Sequence, residues 1–335
     1  MKLFITGTNG FLGSAVVPAA LARGHEVVAM VRPSTKLDDT EWAKAPGVSI
    51  CRGDLRRRGD WEQDLAGCDA VIHLAAAGSG DFYSQFAATV LGTENLLAAM
   101  TAQDTLRLVH ISSFSLYDYR AIPDGDPLDE ASPIEARPTE RDEYLQTKLI
   151  QEQIVRRFEK EHGAPVTILR PGAIYGPGKL WNAGRALRLA GPFWAAIAPR
   201  GIQKLTYVEN CAEAIVLAAE RPEAIGQTLN IVDDDLPTQK QYEAAMRRAG
   251  FDDLGRTVPM PILAVRAVAN SLAALNRRFY GGKAKLPAFV VPAKMESQYR
   301  PLRYPNAAAK RVLGWKPRYT LDEALRRIRT EQVSS

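Results

Sequence analysis

Tyr144 and Lys148 stand four residues apart within "ERDEYLQTKLIQEQIVRRFEKEHG", whose spacing of apolar residues predicts a helix opening near Thr139 and stopping at Gly163. Thr139, with Asp142 three positions on, reads as a capping box. On such a helix the two side chains leave one face, a turn apart. An ammonium beside a phenol stabilises phenolate and draws the tyrosine pKa down from about 10 toward working pH, which suits a general acid or base. The same spacing is common on helix surfaces, so the pair needs supporting residues. Upstream, "VHISSFSLYD" ends an apolar run in the hydroxyls of Ser112, Ser113 and Ser115; downstream, "LRPGAIYGPG" is another apolar run that turns at Pro171 and Gly172.

A second group lies at the start of the chain. "TGTNGFLG" follows a short apolar run and precedes a helix-like one, with Gly7, Gly10 and Gly13 three apart and Asn9, Phe11 and Leu12 between them. Glycine there allows a tight turn, close approach of main chain to a pyrophosphate, and close packing of helix on strand. The amino end of the following helix offers unpaired N–H groups and partial positive charge. A dinucleotide is the expected ligand, although the spacing is G-x-x-G-x-x-G rather than the commoner G-x-G-x-x-G. The end of the second strand selects the cofactor: an acid binds the ribose 2′-hydroxyl of NAD, whereas arginine accommodates the 2′-phosphate of NADP. Val31 stands where the acid would be, Arg32 follows and Lys36 is nearby, so NADP is expected over NAD.

These residues need a scaffold. "KLFIT", "HEVVAMVR", "VSICRGD", "DAVIHLAA", "RLVHISS" and "PVTILRPG" are continuously apolar, the pattern of strands covered on both faces. Helix-like segments alternate with them. The expected fold is α/β: a Rossmann-type, doubly wound parallel sheet over residues 1–175, rejoined by 206–232 through "GQTLNIVDD", with a smaller substrate lobe from 176–205 and 233–335. That lobe includes an amphipathic helix over 262–278 and a closing helix at "TLDEALRRI".

With 335 residues, 46% apolar and 24% charged, the chain is long enough for a substantial core and too apolar for disorder. The opening residues already read as a strand, so no leader is expected, and 261–275, interrupted by Arg266 and Asn270, falls short of the roughly 20 residues of a membrane span. Cys51, Cys68 and Cys211 match no metal pattern and read as free thiols, pointing to the cytoplasm. The net charge of +5 mildly favours an anionic ligand; "RRR" at 56–58 reads as a solvated loop, and no basic, aromatic-interleaved stripe suggests nucleic acid.

Taken in order, "TGTNGFLG", "GDL" at 53–55, "VIHLAA" at 71–76, "GTENLL" at 92–97, "YLQTK", "LRPGAIYGPG", "YVENCAEAI" and "LGWKP" resemble the extended short-chain dehydrogenases/reductases, the NAD-dependent epimerase/dehydratase family, over nearly the whole chain. The resemblance implies that Tyr144 exchanges a proton with the substrate oxygen, that Lys148 lowers its pKa and holds the nicotinamide ribose, and that Ser113 orients the carbonyl, with Ser112 and Ser115 as competitors. It implies that Asp54 and Leu55 hold the adenine, that Ala75 lines the cofactor cleft, and that Pro171 and Gly172 flank the nicotinamide. Leu74 and Ala76 belong to the same stretch, with plain packing as their competing role. Two positions depart from the pattern: Thr89, where relatives commonly carry Asn, and Asp118, where glycine is usual.

Dehydratases of the family follow the serine with an Asp-Glu pair; here Phe114 and Ser115 follow. The resemblance therefore implies an NADP-dependent reductase or dehydrogenase acting on a ketone, aldehyde or secondary alcohol, with a nucleotide-sugar epimerase holding NAD as the alternative and a non-catalytic NADP-binding regulator as a third reading. Phe193 and Trp194 suggest an apolar wall for a greasy substrate, while Lys179, Arg185, Arg188, Arg200 and Lys204 are cations that a diphosphate would want. Relatives often dimerise through the helices corresponding to 83–102 and 142–161, so a homodimer is expected by analogy.

Overall fold

The computed structural model describes residues 1–180, 185–190, 193–251, 254–281 and 291–334. All six apolar runs are strands: β1 (Lys2–Thr6), β2 (Glu26–Val31), β3 (Val48–Arg52), β4 (Ala70–His73), β5 (Leu108–Ile111) and β6 (Val166–Pro171). A short β7 (Ala173–Tyr175) follows, then β8 (Arg185–Ala190), β9 (Phe193–Ile197), β10 (Leu205–Tyr207), β11 (Thr228–Ile231) and β12 (Arg256–Met260). Seven strands form one parallel sheet in the order β11-β6-β5-β4-β1-β2-β3, with β11 added beside β6. The strand order reverses between β1 and β4, and in such sheets ligands bind outside the carboxyl ends of the strands at that switch point.

Alternate side chains of each strand serve opposite faces, and both faces are covered. Leu3 and Ile5 of β1 pack with Val16, Val17 and Ala20 of helix α1 (Gly13–Ala22) and with helix α5 (Val208–Glu220), whereas Phe4 packs on the other side. That second face is closed by α3 (Gly92–Ala102) and by α4 (Glu143–His162), which contribute Leu96, Met100, Val155 and Phe158. The helix expected over 83–102 is broken in kind: α2 (Phe82–Phe86) runs through a π-helical turn, Ala87–Leu91, into α3.

The remaining elements are α6 (Gln239–Arg248), α7 (Ile262–Tyr280), α8 (Pro292–Tyr299), α9 (Ala307–Leu313) and α10 (Leu321–Ser334), with the three-stranded sheet β12-β9-β8 and the pair β10-β7. Of three consecutive aspartates after β11, one ties the start of α5 and two fasten the last helices. Asp233 accepts hydrogen bonds from Tyr207 N (2.8 Å) and Asn210 Nδ2 (2.9 Å), Asp234 pairs with Lys310 (2.9 Å), and Asp235 accepts from Leu321 N at the start of α10 (2.6 Å). Burial lifts the Asp233 carboxyl to about 8.

Candidate active site

The glycine-rich turn opens onto a cleft of about 580 Å³. Gly7, Asn9, Gly10, Phe11, Leu12 and Gly13 form one wall, Arg32, Asp54 and Leu55 the far end, and Leu74, Ala75 and Ala76 the floor. Two glycines are sterically required. A Cβ on Gly13 would lie 2.2 Å from the Gly7 carbonyl oxygen, and one on Gly7, whose φ is +73°, would meet the Ala75 amide at 3.0 Å. The helix amino end is left open: among the described residues the amides of Phe11, Leu12 and Gly13 have no acceptor, and no side chain caps α1. Such amides at the edge of the cleft fit a pyrophosphate. Leu74 is half-buried and Ala76 exposed, so both face the cleft instead of serving only as packing.

Val31 and Gly53 also line the cleft, and Met30, Arg56, Ala77, Gly78, Ser79 and Ala88 complete the wall without having been assigned to it from the sequence. Arg56 corrects the reading of "RRR" as plain solvated loop. It lines the cleft and clamps Asp54, with Nε 3.0 Å from both carboxylate oxygens, and this holds the Asp54 carboxyl below its ordinary value. Arg58 does behave as surface, pairing with Glu62. Lys36 is exposed and lies outside the cleft wall, as do Ser113, Tyr144, Lys148, Pro171 and Gly172.

Ser113 ends the run that follows β5, and Tyr144 sits in the first turn of α4. The helix starts later than predicted: Thr139 lies in a 3-10 turn, Pro138–Glu140, and Asp142 itself is the N-cap, accepting from Leu145 N at 2.9 Å. Its stop at Gly163, left-handed with φ +60°, agrees with the sequence. The Ser113 hydroxyl lies near enough to Tyr144 to pull its pKa down, but burial outweighs this and the phenol is raised overall. The other serines are turned away: Ser112 Oγ donates to Glu152 (2.5 Å), and Ser115 Oγ is buried without a partner.

Lys148 departs from expectation. It is buried, and its Nζ donates to Ile111 O and Gln151 Oε1, both at 2.5 Å, while burial lowers its pKa to about 7. Behind it runs a polar chain that no motif announced. Gln151 Nε2 donates to Thr93 Oγ1 (2.8 Å), Thr93 Oγ1 donates to Thr89 O (2.6 Å), and His73 lies between Thr93 (2.9 Å) and Thr6 (2.8 Å). His73 Nε2 also lies 3.2 Å from Gln151 Nε2, so the imidazole sits inside a closed ring of hydroxyl and amide partners. A signal was available in the sequence: a histidine inside an otherwise apolar strand needs partners.

Burial, with the Lys148 charge adding to it, lowers His73 to about 3. A base depressed in the fold contributes stability that is full above its unfolded pKa of about 6.5 and is lost as pH falls from there toward 3. Urea unfolding at pH 7.5 and 5 should show the wild type losing about 2 kcal/mol more than His73→Gln. Equal losses in the two proteins would contradict the buried neutral imidazole.

The two departures from the family pattern have local accounts. Thr89, in the π-helical turn, accepts from Ala77 N through Oγ1 (2.9 Å) and so fixes the loop that ends the cleft floor. Asp118 has φ −81°, needs no glycine, and caps a short turn by accepting from Arg120 N. Pro171 ends β6, and Gly172 is needed because a Cβ would lie 2.4 Å from Lys204 O. Of the cations considered for a diphosphate, Lys179 sits over the Phe11 ring (4.9 Å), and Lys204 Nζ donates to Ser297 O (2.8 Å) above the Tyr119 ring. The side chains of Arg185 and Arg188 lie outside the described residues. Phe193 and Trp194 open β9, where Phe193 is exposed and Trp194 half-buried.

A strand-order switch, a glycine turn with open amides, and a Ser-Tyr-Lys group at the sheet's carboxyl end define a dinucleotide-dependent enzyme of the extended short-chain dehydrogenase/reductase type. The chain belongs to the NAD-dependent epimerase/dehydratase family, which it matches over residues 3–232. It is similar to a 2-alkyl-3-oxoalkanoate reductase of Stenotrophomonas maltophilia (30% identical, all of both chains covered). It is also similar to 4-hydroxy-2-methyl-3-oxo-4-farnesyl-3,4-dihydroquinoline-1-oxide ketoreductase of Stigmatella aurantiaca (29% identical, 98% of this chain and 96% of that one). Its fold is that of UDP-glucuronic acid 4-epimerase from Bacillus cereus in complex with NAD, at TM-score 0.72 and 20% identity with both chains fully covered.

Proposed function

We propose that the protein is an NADPH-dependent reductase of ketones carrying an apolar chain, with Tyr144 as proton donor and Ser113 as the hydroxyl that orients the carbonyl. The placement of the Ser113 hydroxyl close enough to Tyr144 to act on its phenol, beside the sheet's carboxyl edge, carries this reading. A bound nicotinamide coenzyme supplies or accepts hydride; the chain's residues orient the substrate and move the proton. Gly7 to Gly13 would hold the pyrophosphate, Asp54 and Leu55 the adenine, and Leu74, Ala75 and Ala76 the floor beneath it. Pro171 and Gly172 would flank the nicotinamide, and Lys148, by anchoring the start of α4 to β5, would fix the height of Tyr144. A carbonyl oxygen seated between two hydroxyls needs a protonated phenol, and the raised Tyr144 pKa keeps it so. The engagement of Lys179 and Lys204 with aromatic rings and a carbonyl favours a reductase over an enzyme that grips a sugar diphosphate.

NADP is favoured by Arg32 and Arg56 at the ribose end and by the buried Val31 where an acid would bind NAD. Arg32→Ala should weaken NADPH binding about tenfold and leave NADH nearly unchanged, as titration of each coenzyme will read. A homodimer through α3 and α4 is favoured by the groove between them, about 270 Å³, lined by Leu97, Ile154 and Phe158. Three buried free thiols suit the cytoplasm. Residues 176–205 and 233–335 would choose the substrate. The test is to incubate the protein with NADPH and panels of ketones, aldehydes and sugar nucleotides. Steady NADPH consumption with a long-chain ketone is the expected result; a sugar-nucleotide isomer formed without net redox change would overturn it in favour of the epimerase.

A further inference from the structure

Helix α7 is apolar on both sides, and only one side is used by the fold. Val265 and Ala269 are buried with Met295 and Tyr299 of α8, and Arg266 pairs with Glu296 (2.6 Å) and Asp124 (2.5 Å), so the inner face is firmly docked. The outer face exposes Leu263, Val268, Leu275 and Phe279, with Leu263 71% and Phe279 69% accessible, among small residues at 264, 267, 271 and 274. Val268, Leu275 and Phe279, seven and four residues apart, fall on one side of the helix, and small residues join them to Leu263 across an outer face about 28 Å long. Exposed apolar rows of that length on a docked helix mark an interaction surface.

The charges on the helix indicate the occupant. No aspartate or glutamate occurs between Ile262 and Tyr280, while Arg277 and Arg278 are exposed at its carboxyl end, Arg277 near enough to Glu140 to lower its pKa and Arg278 5.6 Å from the Phe279 ring. Phe279 and Tyr280 follow at once, both exposed. A second copy of the helix would cover the apolar row but would bring no carboxylate to the guanidinium groups. An anionic lipid surface satisfies both, taking the row and the aromatic rings at the acyl boundary and the arginines among the headgroups. Among the described residues no helix is long and apolar enough to cross a membrane, so the contact lies on the surface.

We propose that α7 docks the protein on anionic bilayers through Leu263, Val268, Leu275 and Phe279 with Arg277 and Arg278. The inner face links this surface to the site: α7 pairs with α8 through Glu296, and α8 receives Lys204 Nζ at Ser297 O. Flotation of the full chain with phosphatidylcholine vesicles, with and without about one-third phosphatidylglycerol, tests it. The wild type should float with the anionic vesicles and stay free with the neutral ones. Leu275→Glu/Phe279→Glu should lose binding at least about thirtyfold with thermal midpoint and sedimentation mass unchanged, and Arg277→Gln/Arg278→Gln should lose the anionic preference about thirtyfold. A wild type that stays free of anionic vesicles overturns the proposal. So does a double-glutamate variant of reduced mass, which would assign the face to a second copy. Neither readout depends on substrate or coenzyme.

Discussion

Tyr144→Phe is expected to lower kcat/KM for ketone reduction about a thousandfold while leaving coenzyme affinity within about twofold. The substitution removes one oxygen from a half-buried side chain, so fold and cleft should persist, and the loss reports the missing proton. The electrostatics add a direction. Burial holds the phenol above its ordinary value despite the nearby Ser113 hydroxyl, so it is protonated throughout the neutral range. Reduction, which uses the phenol as an acid, should be nearly flat in pH from about 6 to 9, whereas alcohol oxidation, which uses the phenolate as a base, should rise with pH across that span. Stopped-flow hydride transfer in both directions reads this. If Tyr144→Phe retains more than about a tenth of the wild-type rate, the tyrosine is not the proton donor. If biological activity also survives with coenzyme binding intact, the regulator reading gains.

The sheet was legible because strands buried on both faces need apolar residues at consecutive positions, and each such run proved to be a strand. The glycine turn was legible for a steric reason: only glycine fits where a Cβ would strike the Gly7 carbonyl. The start of α4 was misplaced because Thr139 and Asp142 are both good caps, and only the 3-10 turn at Pro138 decides between them. Less visible were interactions between residues distant in sequence. Arg56 joins the cleft by folding back on Asp54, an arrangement that a run of three arginines hides. The direction of Lys148 is set by Ile111 O, 37 positions away, and by a glutamine whose other partners come from β4 and α3. Spacing along a helix fixes which side chains share a face, but the acceptors that draw an ammonium inward come from another strand.

The same limit applies to the second large effect, which concerns Glu152 and Arg170. Glu152 is buried one turn beyond Lys148, and its carboxylate accepts from Arg170 (2.6 Å), Arg156 (2.8 Å) and Ser112 Oγ (2.5 Å), which together hold its pKa down at about 2 against the burial that would raise it. Arg170 is itself buried and lies over the Tyr117 ring at 4.8 Å. Arg170→Met should destabilise the fold by about 3–5 kcal/mol at neutral pH, because it leaves a carboxylate in the interior with only its half-exposed partner. The sign with pH follows. A carboxyl depressed in the fold contributes stability that is present above its unfolded pKa of 4.5 and lost as pH falls through 2, so the gap between wild type and variant should narrow over that window. Adding Glu152→Gln should recover much of the loss, since it removes the stranded charge. Because Ser112 Oγ donates to Glu152, one residue before Ser113, the single variant should also lose turnover beyond what its stability explains. Denaturant midpoints at several pH values for wild type and both variants decide the matter. A loss under about 1 kcal/mol for Arg170→Met would mean that water or Arg156 already satisfies the carboxylate, and that the pair does not hold the serine strand end in place.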